Sequence, residues 1–262
     1  MTRIISVVSG KGGVGKTTLV SNLGTLLHLE FGKNVIVVDC NVTTSHLALA
    51  LGLYETANTL NDVIKGTCSI VDSIYTLPFG LKVVPTSLSI DKLIDLQPSR
   101  VQDVMKELAE YADILLLDSA PCLGKEAMIT LQASDEVLFV STPFIPAIAD
   151  IARINDLVNR MGKKSLGLVL NMVKNSKFEL KESEIKTLTD LPILAILPYD
   201  DIVLKSLSMK VPAVLLNEHS PFSIGCKKVA FSLMGETFIP EKRGLWSIIS
   251  DLRGILFRKF FR

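Results

Sequence analysis

The run Gly10-Lys11-Gly12-Gly13-Val14-Gly15-Lys16-Thr17 constrains the fold of this 262-residue chain more than any other stretch. It fits the pattern G-x-x-x-x-G-K-[ST]. It follows the apolar run Ile4-Ile5-Ser6-Val7-Val8 and precedes a helical pattern, which is the strand–loop–helix setting the pattern requires. A chance match in a chain this long is about one in a hundred before context is counted. The glycines let successive N–H groups curl around phosphate oxygens. The following helix turns its positive end toward them. Lys16 adds a point charge at the outer phosphates, and Thr17 offers a hydroxyl to Mg²⁺. The plain alternative is a structural glycine turn, and the flanking elements weigh against it.

The rest of the chain repeats that alternation. Apolar runs of strand length fall at Ile4–Val8, Val35–Val38, Lys82–Val84, Ile114–Leu117, Val137–Ser141, Leu166–Leu170 and Ile193–Leu197. Several are continuous rather than alternating, as expected of strands covered on both faces. Helical patterns lie at Lys16–Phe31, Ser45–Leu51, Ser99–Tyr111, Lys125–Ala133 and Ile145–Met161. In the first, Leu19, Leu23, Leu26 and Leu27 share a face and Gly32 supplies a C-terminal stop. The expectation is an α/β fold with a doubly wound, mostly parallel sheet flanked by helices. A composition of 48% hydrophobic and 21% charged residues excludes a disordered chain. A net charge of +1 disfavours a globally basic nucleic-acid binder. Cys40, Cys68, Cys122 and Cys226 are widely spaced with no C-x-x-C, so neither a disulfide framework nor a metal knuckle is expected. The chain reads as cytoplasmic.

Gly10, Gly12 and Gly15 also satisfy G-x-G-x-x-G, and Asp39 ends the next strand about where a dinucleotide fold places its ribose acid. Two features oppose that reading. A Lys16-Thr17 pair has no role on a metal-free pyrophosphate. A second acid-ending strand, Ile114-Leu115-Leu116-Leu117-Asp118, supplies the carboxylate that Mg²⁺-assisted phosphoryl chemistry requires.

Lys11 is the unusual member of the loop. Two lysines in one anion nest repel each other unless both meet phosphate, so Lys11 is free to project outward. Lys11-Gly12-Gly13-Val14-Gly15-Lys16-Thr17-Thr18 resembles the deviant Walker A motif of the MinD/ParA family of P-loop ATPases. Val35–Asp39 and Asp118-Ser119-Ala120-Pro121 resemble the family's first switch strand and its second switch. Order and spacing agree from residue 3 to about residue 235, and the pattern is most like archaeal MinD-like proteins. The resemblance implies ATP and Mg²⁺ as cofactors, a P-loop of Gly10 to Thr18, and a homodimer in the ATP state in which Lys11 reaches the partner's nucleotide.

One departure stands out. The family's first switch reads D-x-D, with the second Asp placing the attacking water, and here it reads Asp39-Cys40-Asn41. An amide at Asn41 can orient water through its carbonyl oxygen, so slow turnover is expected, with Lys11, Lys16 and Asn41 as catalytic residues. The alternative is that Asn41 only caps the following helix. Asp39 and Asp118 join Thr17 as candidates for the metal's surroundings, and a salt bridge to a lysine is the other reading of Asp118. Cys122 stands where the family often has Gly and reads as a packing residue. Asn171, at the end of the strand Leu166–Leu170, is implied by the resemblance to read adenine. Pro198 resembles the family's second adenine-side loop.

The last segment has a different character. Pro240-Glu241-Lys242-Arg243-Gly244 reads as a linker after a domain of residues 1–239. Beyond it, Leu245, Ile248, Ile249, Leu252, Ile255, Leu256 and Phe260 fall in one arc of a helical wheel. Residues 244–262 carry four basic and one acidic side chain, a net +3, together with the chain's one Trp. That pattern suits an amphipathic helix lying in an anionic membrane surface rather than spanning it. A helix docked on its own domain or on a partner is the alternative. MinD-like proteins carry such a membrane-targeting helix, so the resemblance implies a peripheral location at the inner face of the cell membrane. The expected function is an ATP-switched ATPase that positions a cellular assembly, for cell division or a similar task, with a protein partner the sequence does not identify. The alternatives are a DNA-partitioning ATPase of ParA type and a non-hydrolysing nucleotide-dependent scaffold.

Overall fold

Along the first strand, Ile5 and Val7 point to one side and Ile4 and Val8 to the other, and all four are buried. A strand of this kind needs a helical layer on each face. The computed structural model describes residues 2–41, 46–87 and 98–239. The linker and terminal helix expected at 240–262 lie outside the described residues, as does Ser45.

Eight strands form one sheet: β1 (Arg3–Val8), β2 (Val35–Asp39), β3 (Tyr75–Thr76), β4 (Lys82–Val84), β5 (Ile114–Asp118), β6 (Glu136–Ser141), β7 (Lys164–Val173) and β8 (Ile193–Pro198). Their order is β3-β4-β2-β5-β1-β6-β7-β8, with every pairing parallel except β3–β4. The doubly wound sheet expected from the sequence is present. The short antiparallel edge strand β3 adds to it, because two residues give no periodicity to read.

The helices are α1 (Lys16–Leu29), α2 (Leu47–Ala50), α3 (Leu60–Lys65), α4 (Pro98–Ala109), α5 (Lys125–Ala133), α6 (Ile145–Arg160), α7 (Glu182–Thr189), α8 (Asp201–Met209), α9 (Ala213–Leu216) and α10 (Pro221–Leu233). Residues Ile5, Val7, Val35, Val37, Leu116 and Val140 meet Leu19, Leu23, Leu26 and Leu27 of α1 and Phe222 and Val229 of α10 in one core. The opposite sheet face is covered in two parts. Ile36, Leu115 and Leu117 pack with Met105 and Leu108 of α4, and Phe139 and Leu168 pack with Ile148 and Ile151 of α6. Phe139 alone, fully buried, contributes roughly 2–3 kcal/mol of transfer free energy.

At the amino edge of the sheet, Arg3 ties three elements together. Its Nε and Nη2 reach Glu136 Oε2 at 2.7 and 2.6 Å, and its Nη1 donates to the Leu233 carbonyl at 2.5 Å, at the end of α10. Lys164 Nζ meets the other Glu136 oxygen at 2.8 Å. Beyond α10, Phe238 stacks edge-on against Phe231 at 5.2 Å, and Phe231 against Phe31 at 4.9 Å. Among the described residues, no helix is long and apolar enough to cross a membrane.

Candidate functional site

The carboxyl ends of β1, β2, β5, β7 and β8 converge on a cleft of about 470 Å³, lined by Gly12, Gly13, Gly15, Lys16, Thr17 and Thr18 from the loop between β1 and α1. Parallel strands expose their last carbonyls and the first turns of their helices here, so ligands gather at this edge. Gly15 is the N-cap of α1 with φ +93°, and Gly13 has φ +76°. Those angles belong to glycine. Val14 between them is buried, Lys11 and Gly12 are exposed, and Gly10 sits against Asp150 of α6.

Lys16 is the first residue of α1 and only 8% exposed. Its Nζ donates to Ser9 Oγ at 3.0 Å, and Ser9 Oγ donates to the Lys11 carbonyl at 2.7 Å. Burial lowers the ammonium pKa, opposed by the charges of Asp118 and Cys122. Ser9 was not expected as a site residue. A serine before a glycine reads as ordinary turn chemistry, and only the folded loop shows it holding both Lys11 and Lys16.

Asp39 and Asp118 end neighbouring strands in register with each other. Asp39 is fully buried. Its Oδ1 accepts the N–H of Asn41 at 3.0 Å and its Oδ2 that of Leu47 at 3.3 Å, which pins both ends of the loop between β2 and α2. Asp118 accepts the Thr17 hydroxyl at Oδ2, at 2.6 Å. Its Oδ1 is buried and has no hydrogen-bond partner. Burial first, and then the nearby Asp39 carboxylate, push the Asp118 carboxyl up to about 7, against the Thr17 bond and the Lys16 charge. Burying a carboxylate oxygen without a hydrogen-bond donor is costly, and a cation beside it would offset that cost.

A magnesium ion fits this donor set. Mg²⁺ usually binds through one or two carboxylates or hydroxyls plus substrate phosphates and waters. Thr17 lines the cleft, Asp118 is bonded to it from β5, and Asp39 stands beside Asp118 on β2. Among the described residues there is no cluster of three His, Cys, Asp or Glu that could hold a metal ion by itself.

Asn41 and His46 line the cleft beside Lys16 and Thr17. His46 is the N-cap residue of α2 and makes no side-chain cap bond. At the far end stand Asn171, Met172, Pro198, Tyr199, Val203, Leu204, Leu207 and Phe222. The apolar wall from α8 was not expected, since no helix was read from the sequence at 201–209; its leucines are exposed (Leu204 54%, Leu207 40%). Asp200 fixes that wall. Its Oδ1 caps α8 at Ile202 N–H, 3.1 Å, and its Oδ2 accepts Phe222 N–H at the start of α10, 3.2 Å. Asn171 Nδ2 donates to the Val14 carbonyl at 2.8 Å.

Cys122 corrects one expectation. It is exposed rather than packed, with φ +63° and its N–H on the Ser9 carbonyl at 3.1 Å. The left-handed turn directs the side chain outward, and it is the conformation that glycine adopts most readily.

The description "CobQ/CobB/MinD/ParA nucleotide binding domain" matches residues 5–213. The chain belongs to that family. An uncharacterized ATP-binding protein of Methanocaldococcus jannaschii is 33% identical over 261 residues, covering 99% of this chain and 98% of the relative. The septum site-determining protein MinD of Thermotoga maritima is 28% identical over 267 residues, covering 96% and 97%. The structure of the septum site-determining protein MinD from Pyrococcus horikoshii, complexed with Mg-ADP, superposes with a TM-score of 0.84 at 31% identity. That superposition covers 89% of this chain and 96% of the other. Membership in the MinD/ParA group thus agrees with the loop, the two acid-ending strands and the sheet order described above.

Proposed function

We propose that this chain is a MinD-like ATPase that binds Mg-ATP in the cleft and hydrolyses it slowly. In this reading it dimerises in the ATP state and meets the inner face of the cell membrane peripherally through residues 245–262, to position a cellular assembly such as the division apparatus. One observation carries the nucleotide part: Lys16, Thr17 and Asp118 converge on the phosphate loop, and Asp118 keeps a buried oxygen without a partner. The similarity to MinD bound to Mg-ADP supports the same ligand class.

The residues divide the work by position. Gly12, Gly13, Val14 and Gly15 offer N–H groups to phosphate oxygens, and Lys16 leaves Ser9 to meet the same oxygens as a point charge. Thr17 Oγ and the Asp118 carboxylate hold the metal side, with Asp39 fixing the first switch. Bound Mg²⁺ supplies neutralisation of the charge that develops on the transferred phosphoryl group. Asn41 lines the same cleft and orients water through its amide oxygen. Asn171, Pro198 and the α8 wall receive the base. Lys11, exposed on the loop, reaches outward to the nucleotide of a second copy, and further protein partners dock on the dimer.

The test is calorimetric titration of Mg-ATP into the wild type and Lys16→Ala, with multiple-turnover phosphate release. Binding lost in Lys16→Ala together with measurable turnover is the expected result, and unchanged affinity in the variant rejects the assignment of the loop. Asn41 favours one second reading, a nucleotide-dependent scaffold that binds without hydrolysing. Tight binding with no phosphate release identifies it.

A further inference from the structure

An anion-binding loop turns its N–H groups inward, so its carbonyls face outward and need donors wherever they are buried. Of the four carbonyls in this loop with hydrogen bonds described, two are served locally, and that of Ser9 takes the backbone N–H of Cys122. Ser9 Oγ donates to Lys11, and the Leu19 N–H donates to Gly15 at 2.9 Å within the first turn of α1. Val14 is served from a distance by a side chain. It is 4% exposed, and its carbonyl takes the side-chain amide of Asn171, 157 residues away and itself 4% exposed.

Both sides of that contact are shaped for it. The β7–β8 register breaks between Leu170 and Val173, and Met172 takes φ +58°, a left-handed angle in a non-glycine residue. The irregularity spans Asn171 and Met172. On the other side, a Cβ on Gly15 would lie 2.2 Å from Asn171 Nδ2. Gly15 is therefore required by the close approach of the amide as well as by its own φ. A carbonyl only accepts, so the amide must turn its NH₂ to Val14. Asn171 also lines the cleft.

We propose that Asn171 is a positioning residue for the phosphate loop. It holds the Val14 carbonyl outward, which keeps the loop's N–H groups turned into the cleft, and it joins the base end of the site to the phosphate end. The inference rests on the nucleotide-binding reading above and deepens it.

Inorganic tripolyphosphate with Mg²⁺ separates the two roles, because it has no base. Its affinity is measured by competition against a fluorescent ATP analogue, alongside Mg-ATP, for the wild type, Asn171→Ala and Asn171→Asp. Both variants are expected to lose about tenfold or more in affinity for tripolyphosphate. Asn171→Asp should lose more, since a carboxylate there faces a carbonyl. Amide exchange of residues 12–17 without ligand is expected to accelerate in both variants while the exchange of β1 and β5 is retained, which also registers the loop directly if one variant binds nothing. Tripolyphosphate affinity and loop exchange unchanged while ATP affinity falls would mean that Asn171 meets only the base, and would overturn the proposal. So would a wild type that binds Mg-ATP and not tripolyphosphate. A wild type that binds neither overturns the nucleotide reading itself.

Discussion

Thr17 Oγ1 donates to Asp118 Oδ2 at 2.6 Å, linking the second residue of α1 to the last residue of β5 across the floor of the cleft. The bond satisfies one carboxylate oxygen and leaves its twin buried and unpartnered. Burial of that oxygen disfavours the ionised carboxyl in the fold, and the two partners should respond differently to substitution. Thr17→Ala is expected to destabilise the free protein by about 1–3 kcal/mol, the usual cost of stripping a buried polar group, and to weaken Mg-ATP binding. Asp118→Asn is expected to leave the free protein as stable or more so, while Mg²⁺ no longer strengthens ATP binding. Calorimetric melting and titration with and without Mg²⁺ check both.

Lys11→Ala should leave Mg-ATP binding by the monomer within a few-fold and remove ATP-dependent dimers. Lys11 is exposed on the loop, whereas Lys16 is buried against Ser9. Light scattering in ATP and in ADP, in a slowly hydrolysing background, reads the result. A dimer that Lys11→Ala still forms in ATP, or a Lys11-bearing form with equal dimer content in both nucleotides, contradicts the proposed role.

Asn41 lies in the cleft with its N–H held by Asp39. Asn41→Asp is expected to raise steady-state turnover several-fold and Asn41→Ala to lower it, with Mg-ATP affinity little changed. Identical rates in all three forms would leave water placement to another residue.

Glu136 provides a pH test away from the cleft. Burial resists its ionisation, but the Lys164 and Arg3 hydrogen bonds and charges outweigh burial and hold the carboxyl below its ordinary value of 4.5. A carboxyl depressed in the fold contributes stability above its unfolded pKa and loses it as pH falls through the folded one. Glu136→Gln is therefore expected to cost about 1–2 kcal/mol at neutral pH, discounted for the solvent exposure of Lys164. The difference from wild type should shrink below about pH 4.5. Denaturant melts at pH 7 and at pH 3–4 give the comparison.

Deletion of residues 244–262, or Leu252→Glu, is expected to abolish co-sedimentation with anionic vesicles. The intact chain should sediment more in ATP than in ADP and less as salt rises, because two weak helices on one dimer add through effective concentration. Equal sedimentation of the truncated chain removes the lipid role. DNA gel shifts that depend on ATP and vanish with salt would instead support the DNA-partitioning alternative.

The sequence was most legible where chemistry is local in the chain. The phosphate loop occupies eight consecutive positions, the bounds of α5 and β4 match those read from the sequence, and the run Ile114–Leu117 is legible because neither face of a doubly covered strand needs polar interruptions. The site was less legible where contacts join distant segments. Nothing near Asn171 announces Val14, and nothing near Asp200 announces Phe222. The leucines of α8 carry the marks of a surface helix because they wall a cleft rather than fill a core. Cys122 was misread because an apolar thiol beside a buried strand suggests packing, while the φ that points it outward is invisible in sequence.

The helix α10 runs from one edge of the sheet to the other. Asp200 grips its first turn beside the cleft, and Arg3 grips its last carbonyl at the opposite edge, where Phe238 is seated on Phe231 and Phe31. Thirteen residues of helix make a strut about 20 Å long. The chain beyond Ile239 is thus rooted one full sheet-length from the phosphates. A tilt of that clamped rod would link the cleft to the root, and of its two clamps Arg3 is the one that stands away from the wall receiving the base.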